Sequence, residues 1–420
     1  MTRAEAATAA KGLLRLGEAV TRITALARPI EEVEEVGLMA AGNRVLARTV
    51  ISAVPVPPFD HSAMDGYAVR SGDCAGVPPF RLPLIGRIAA GDAASAPLAG
   101  SGAMRIFTGA PLPPGCDAVV MQEHCVAEGG GILVQKAASP GLNIRRKGED
   151  VAAGSVILTA GTPLDARHIA IAAACGIPAL AVRRRVRVAI LSTGNELREP
   201  GERLDGGAIF ESNRHMLHAL LANRPVRVSD LGACSDDPDR LTEVLADAAR
   251  THDLVLTTGG VSVGEEDHLP AVLRRYCQQV EVLKIAIKPG KPLAAGRSEQ
   301  AVTLALPGNP FSAMTSFLLL ARPVLKRLCA VEGGGSGSRI AVAAFEDSQS
   351  RTRDEYVPVA IDGYDEGGRP QLRRIGKGGA ARLRPLIEAD GIARLPASSA
   401  HIRPGDTLAF LDFTAAFAGW

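Results

Sequence analysis

VRVAILSTGNE, residues 186–196, decides the fold. Its apolar run ends directly in a Ser/Thr/Gly turn, and DLVLTTGG (253–260) and AVTLALPGNP (301–310) repeat the arrangement. Apolar runs of four to seven residues without polar alternation read as strands covered on both faces. Between the first two lies DDPDRLTEVLADAAR (236–250). There Asp236 or Asp237 can cap a helix opened by Pro238, with Leu241, Val244, Leu245 and Ala248 along one side. Alternating strands and helices predict an α/β domain with a doubly wound parallel sheet, assigned to residues 183–330.

The texture differs on either side. Leu13, Leu16, Val20 and Ile23 are spaced by three and four residues and predict an amphipathic first helix rather than a signal peptide. After Arg48 come short β-type runs broken by proline and glycine, such as FRLPLIGRI and GGILVQK, which predict a β-rich domain over 51–139. Residues 1–50 and 140–182 are assigned to an elongated N-terminal or linker domain. EGGGSGS (332–338) has the composition of a flexible linker, and YVPVAID, IARLP and DTLAFLDF beyond it predict a small β-barrel over 338–420. In a chain of 420 residues, 47 basic and 45 acidic side chains nearly cancel, which excludes a general electrostatic case for nucleic acid or an acidic membrane. No stretch reaches the length of an apolar membrane span. Seven scattered cysteines without a CxxC pair argue against a disulfide framework and for a cytoplasmic location.

In an open parallel sheet, ligands bind outside the carboxyl ends of the strands. All three turns fall there: Ser192, Thr193 and Gly194; Thr258, Gly259 and Gly260, with Ser262 following; and Pro307, Gly308, Asn309 and Pro310. Hydroxyls, free backbone N–H groups and glycines that permit close approach are the ingredients of an anion site. There is no GxxxxGK[ST] and no GxGxxG. Lys284, Lys288 and Lys291 in VLKIAIKPGKPLAAG (282–296) add cations and point to a polyanion. Glu265, Glu266 and Asp267, directly after the TTGG turn, would repel it unless a divalent cation bridges Asp267 and Glu196 to phosphate, as magnesium does. The competing readings are structural. GEED suits a helix N-terminus, Asp236 suits a helix cap, Asp65-Gly66 suits a hairpin turn, and Asp150 suits a solvated loop beside Arg145, Arg146 and Lys147.

PPFDHSAMDGYAVR (57–70), RIFTGAPLPPGCDAVVMQE (105–123), NIRRKGEDV (143–151), STGNEL (192–197), TTGGVSVGEEDH (257–268), KIAIKPGKP (284–292) and LPGNP (306–310) together resemble the molybdopterin molybdenumtransferases, in that family's order. The resemblance implies a four-domain homodimer that cleaves adenylylated molybdopterin, places molybdate on the dithiolene sulfurs and releases AMP with magnesium. It further implies that the product passes to molybdoenzymes or their chaperones. It implies functional roles for Asp65, Thr108, Asp150, Glu196, Asp236 and Asp267, phosphate or molybdate binding by Lys284 and Lys288, a pterin-side loop at Pro307 and Pro310, and a role for Arg353. The chain departs from the family at Asn195, usually aspartate, and at FESNR (210–214), where a tyrosine-aspartate pair is usual. GKGGAARLRPLIEADG (376–391) lacks the expected serines and offers Arg382 and Arg384. A molybdopterin adenylyltransferase and a non-catalytic scaffold are the alternatives, and the first leaves Asp65, Thr108 and Asp150 without a purpose.

Overall fold

The computed structural model describes residues 12–93, 97–98, 100–260, 268–333, 337–376 and 379–417. Ser262, Asp267 and the middle of the glycine-serine stretch lie outside the described residues. The chain divides into two units, one of Thr49–Thr159 and Ala166–Ala179, the other of the remainder.

In the first unit, six strands form one sheet: β1 (Gly66–Val69), β2 (Phe80–Ile88), β3 (Ala103–Ile106), β4 (Ala118–Met121), β5 (Cys125–Glu128) and β6 (Gly131–Val134), ordered β4-β1-β3-β2-β6-β5. Both faces are covered, because successive side chains point opposite ways: Ala68 and Val119 enter one apolar cluster, Val69 and Val120 the other. Asp65-Gly66 is not a hairpin turn. β1 pairs with β3 and β4, while His61 and Ser62 pair with Arg145 and Ile144. Gly66 is required by packing, since a Cβ there would lie 2.0 Å from the Val120 carbonyl oxygen.

The second unit contains the α/β domain. Its first helix, α1 (Leu16–Ala25), buries Ala19 and Ile23, with Leu16 and Val20 packed beside them. β7 (Val186–Thr193), α2 (Asn213–Leu221), β8 (Val226–Cys234), α3 (Pro238–Thr251), β9 (Leu254–Thr258) and α4 (Leu269–Tyr276) alternate as expected. They are followed by β10 (Gln279–Lys284), β11 (Ile287–Lys288), β12 (Pro292–Arg297) and β13 (Val302–Leu306), then α5 (Pro310–Ser316) and α6 (Arg322–Leu328). The sheet order is β8-β7-β9-β13-β12-β10. It is doubly wound: Val188 and Ile190 join a cluster with Leu217 and Leu221 of α2, while Ala189 and Leu191 join one with Leu241 and Leu245 of α3. β8, β7, β9 and β13 are parallel. β12 runs antiparallel to both β13 and β10, because the seven residues joining β10 to β12 are too few for a parallel crossover. From β7 the chain steps to β8 on one side and returns to β9 on the other, so the strand order reverses between β7 and β9.

Beyond the linker, β14 (Ser338–Ala343), β15 (Asp354–Tyr364), β16 (Pro370–Arg374), β17 (Gly391–Leu395) and β18 (Thr407–Asp412) close into a barrel in the order β15-β16-β14-β18-β17-β15. β11 adds to the barrel alongside β15, with Ile287 opposite Asp354 and Lys288 opposite Glu355.

Candidate active site

A cavity of about 690 Å³ opens at the carboxyl ends of β7, β9 and β13, at the point where the strand order reverses. Its walls include Thr193, Gly194 and Glu196 after β7, Thr258, Gly259 and Gly260 after β9, and Pro307, Gly308, Asn309 and Pro310 after β13. Ser192 lies behind the wall, fully buried, where its hydroxyl donates to Glu211 Oε1 at 2.9 Å and lies 3.0 Å from Thr258 Oγ1. The loops meet through glycine. A Cβ on Gly259, whose φ is +98°, would lie 2.3 Å from the Thr193 carbonyl oxygen. The N–H groups of Gly194 and Gly259 are not free, contrary to the anion-cradle expectation: they donate to the carbonyls of Cys234 and Leu306. These glycines therefore serve close approach rather than donation.

Among the described residues three carboxylates line this cavity, Glu196, Asp236 and Glu211. Glu196 folds back over Gly194, whose added Cβ would meet Oε2 at 2.5 Å. Asp236 also lines it, while the cap of α3 is Asp237, which accepts from Arg240 N at 2.7 Å. Asn195 Oδ1 accepts from Asp236 N at 3.3 Å, so the uncharged residue at 195 holds the backbone of a cavity acid. Among the described residues no three His, Cys, Asp or Glu side chains form a group that could hold a metal.

The lysines separate. Lys284 is exposed at the end of β10, and its carbonyl accepts from Leu14 N; it is not part of the cavity wall. Lys288 and Lys291 line a neighbouring pocket of about 270 Å³ with Arg353, and this pocket shares Gly290, Pro292 and Ser312 with the larger cavity. Lys288 Nζ lies 3.1 Å from Glu355 Oε1, and Arg353 Nη1 donates to the Ile287 carbonyl at 3.0 Å. Despite its missing serines, the segment after β16 reaches both spaces: Ala380 accepts from Phe311 N at the start of α5, and Ala381 lines the larger cavity. Arg382 and Arg384 line neither.

In the other unit, Asp65 and Thr108 are brought together. The backbone N–H and hydroxyl of Thr108 both donate to Asp65 Oδ1 at 2.8 Å. They hold the Asp65 carboxyl below its ordinary range, and the nearby Arg105 adds to the effect. Asp150 is exposed, in a loop whose backbone is tied to Val56. That loop is stitched to the PPFDH segment, since Asp60 accepts from Arg146 Nη1 at 2.7 Å and from Lys147 N at 2.8 Å.

Glu211 and Asn213 are cavity residues that the sequence reading passed over. The only signal was FESNR as a departure from the family pattern. Their position is set by folding: Glu211 Oε1 accepts from Arg214 N at 2.9 Å at the start of α2, and Asn213 Nδ2 donates to the Gly308 carbonyl at 2.6 Å.

The comparisons with known proteins agree with this architecture. Residues 14–176 match the model of the MoeA N-terminal region (domain I and II), 189–327 that of a "probable molybdopterin binding domain", and 341–413 that of the MoeA C-terminal region (domain IV). A molybdopterin molybdenumtransferase of Haemophilus influenzae is 42% identical over 298 residues, covering 71% of this chain and 73% of that protein. Molybdopterin molybdenumtransferase 2 of Mycobacterium tuberculosis is 34% identical over 387 residues, covering 90% and 95%. A crystal structure of the molybdopterin biosynthesis MoeA protein from Pyrococcus horikoshii aligns with a TM-score of 0.79 at 30% identity, covering 95% of this chain and 100% of that one. Fold and matches define a multidomain protein built around a domain of molybdopterin-binding type. The chain belongs to the molybdopterin molybdenumtransferase family, and so to the transferases of molybdenum cofactor biosynthesis. Among the described residues no helix is long and apolar enough to cross a membrane.

Proposed function

We propose that this chain is a working, magnesium-dependent molybdopterin molybdenumtransferase, acting as a cytoplasmic homodimer that takes molybdate and adenylylated molybdopterin and releases AMP. The observation that carries this reading is the cavity of about 690 Å³ at the reversal of strand order, walled by three glycine-bearing turns and faced by Glu196 and Asp236. It has room for a nucleotide-sized ligand. The oxygen donors of Glu196 and of Asp267 suit magnesium, which takes one or two carboxylates together with substrate phosphate. Bound there, the ion would supply charge neutralisation at the pyrophosphate linkage.

The chain's own groups do the rest. Glu196 and Asp236 orient the phosphate end, and Pro307, Gly308 and Asn309 shape the opposite wall. Lys288, Lys291 and Arg353 line a pocket of the right charge for a tetrahedral oxyanion. Asp65, kept ionised by Thr108, can orient water or molybdate, and Asp150 is its proposed partner in function. The test is to incubate purified protein with adenylylated molybdopterin, molybdate and magnesium. Stoichiometric AMP and molybdenum-loaded cofactor are expected, with neither when magnesium is chelated. AMP release as fast in Asp236→Asn and Asp65→Asn as in wild type would leave only a scaffold, and adenylylation of molybdopterin from ATP would make the chain an adenylyltransferase.

A further inference from the structure

Arg105 is the hub of a hydrogen-bonded circuit that closes on Asp65. It stands on β3, opposite Tyr67 of β1 and Arg87 of β2. One arm of its guanidinium, Nη1, donates to the Gly66 carbonyl at 3.1 Å, and the other, Nη2, donates to Gln122 Oε1. The backbone N–H of Gln122 in turn donates to the Asp65 carbonyl at 3.1 Å. Two successive carbonyls, those of Asp65 and Gly66, are thus held by one guanidinium and the glutamine it grips. Thr108, three residues beyond Arg105 in the chain, holds the carboxylate itself. Both of its bonds fall on Oδ1, which among the described residues leaves Oδ2 of this exposed carboxylate open to a ligand.

The guanidinium is fixed by stacking as well as by its bonds. Its Cζ lies 5.1 Å from the ring centroid of Tyr67 and 4.9 Å from that of Phe107. Phe107 also receives Arg87, 4.8 Å from its centroid, so one ring attracts two like charges that stand opposite each other on adjacent strands. A planar fork that stacks on rings and serves two acceptors at once is available to arginine and not to lysine. The two Thr108 bonds lower the Asp65 carboxyl more than the charge of Arg105 does, so the arginine supplies shape before charge. We propose that Arg105 is a positioning residue for Asp65: by gripping Gly66 and Gln122 together it fixes the backbone from which Asp65 presents Oδ2 to the substrate. The proposal rests on the molybdenumtransferase reading, in which Asp65 orients water or molybdate, and deepens it.

The test follows AMP release from adenylylated molybdopterin by the full-length protein. Arg105→Ala and Arg105→Lys should each lose about 10-fold in kcat while melting near wild type, since a displacement well under 1 Å is enough for such a loss. Ethylguanidinium, the part of the side chain that alanine lacks, should recover most of the loss in Arg105→Ala, and ethylammonium should recover none. In an Asp65→Ala background, Arg105→Ala should slow release by less than about 2-fold further, whereas a merely structural residue would cost as much there as in wild type. Gln122→Ala deletes the second acceptor of the fork at an exposed position; it should lose about 3-fold and only when Asp65 is present, and it decides the matter if both arginine variants melt early. Wild-type turnover in Arg105→Lys or Gln122→Ala, equal recovery by the two small cations, or a full further loss in the Asp65→Ala background overturns the proposal. If Asp65→Ala is slow while Arg105→Ala is not, this inference alone fails; if Asp65→Ala releases AMP as fast as wild type, the functional reading of Asp65 fails and this inference with it.

Discussion

Gly259 is where the proposed active site can be broken without touching a charge. Its φ of +98° strains any L-residue, at about 1–2 kcal/mol. An added Cβ would also sit 2.3 Å from the Thr193 carbonyl oxygen, so the loops after β7 and β9 must part by about 0.7 Å to reach even a 3.0 Å contact. Displacements near 1 Å at a reacting centre can cost about 10²-fold in rate. Gly259→Ala is therefore expected to lose about 10- to 100-fold in AMP release. The control is Gly368→Ala, with φ +74° and no atom within 4 Å of the added Cβ, which carries the conformational strain without the collision. Both variants should melt lower than wild type, and only Gly259→Ala should lose activity when AMP release is followed by chromatography. Wild-type turnover in Gly259→Ala, or an equal loss in Gly368→Ala, would refute the view that apposition of these loops builds the site.

Asp236 and Asp237 should separate by assay: Asp237→Ala costs about 1 kcal/mol of stability through the lost cap and leaves AMP release intact, whereas Asp236→Ala abolishes release with little change in denaturation midpoint. Asp65→Ala and Thr108→Val should be non-additive, the double variant being little slower than the worse single one, since the Thr108 hydroxyl acts by donating to Asp65; a multiplicative loss would count against the pairing. Asp253 is 4% exposed and held by Arg184 and Arg187, and Asp253→Asn should destabilise by about 3 kcal/mol in denaturant titrations. Burial alone would push its carboxyl up, but the hydrogen bonds from the two arginines outweigh that and lower it. Its contribution is therefore present above the unfolded value, about 3.9, and should fade as pH falls through the lower folded value; the stability difference between wild type and Asp253→Asn should narrow only below about pH 4.

The sheet was legible because burial on both faces leaves a mark in single residues: Val188 and Ile190 face one layer of helices, Ala189 and Leu191 the other, and no polar residue can interrupt the run. The turns after β7, β9 and β13 were legible for a related reason, since only glycine tolerates the approach at Gly259. Other features depended on partners far away in the chain. Whether Asp236 or Asp237 caps α3 depends on backbone entry geometry, which two adjacent aspartates do not disclose. Lys288 looked like a cation waiting for an anion, yet Glu355 from the barrel lies 3.1 Å away, and no local pattern encodes a pairing across 67 positions. Free N–H groups were expected at Gly194 and Gly259 because glycine-rich turns often cradle phosphate, but here neighbouring strands claim those donors. Glu211 was obscured by its two roles. One oxygen secures the helix start in the manner of a common capping carboxylate, and the same side chain borders the cavity, a placement that only the assembled fold discloses. A sequence shows which groups are present, whereas a binding site is defined by which of them folding leaves unsatisfied, and that follows only once every neighbour is in place.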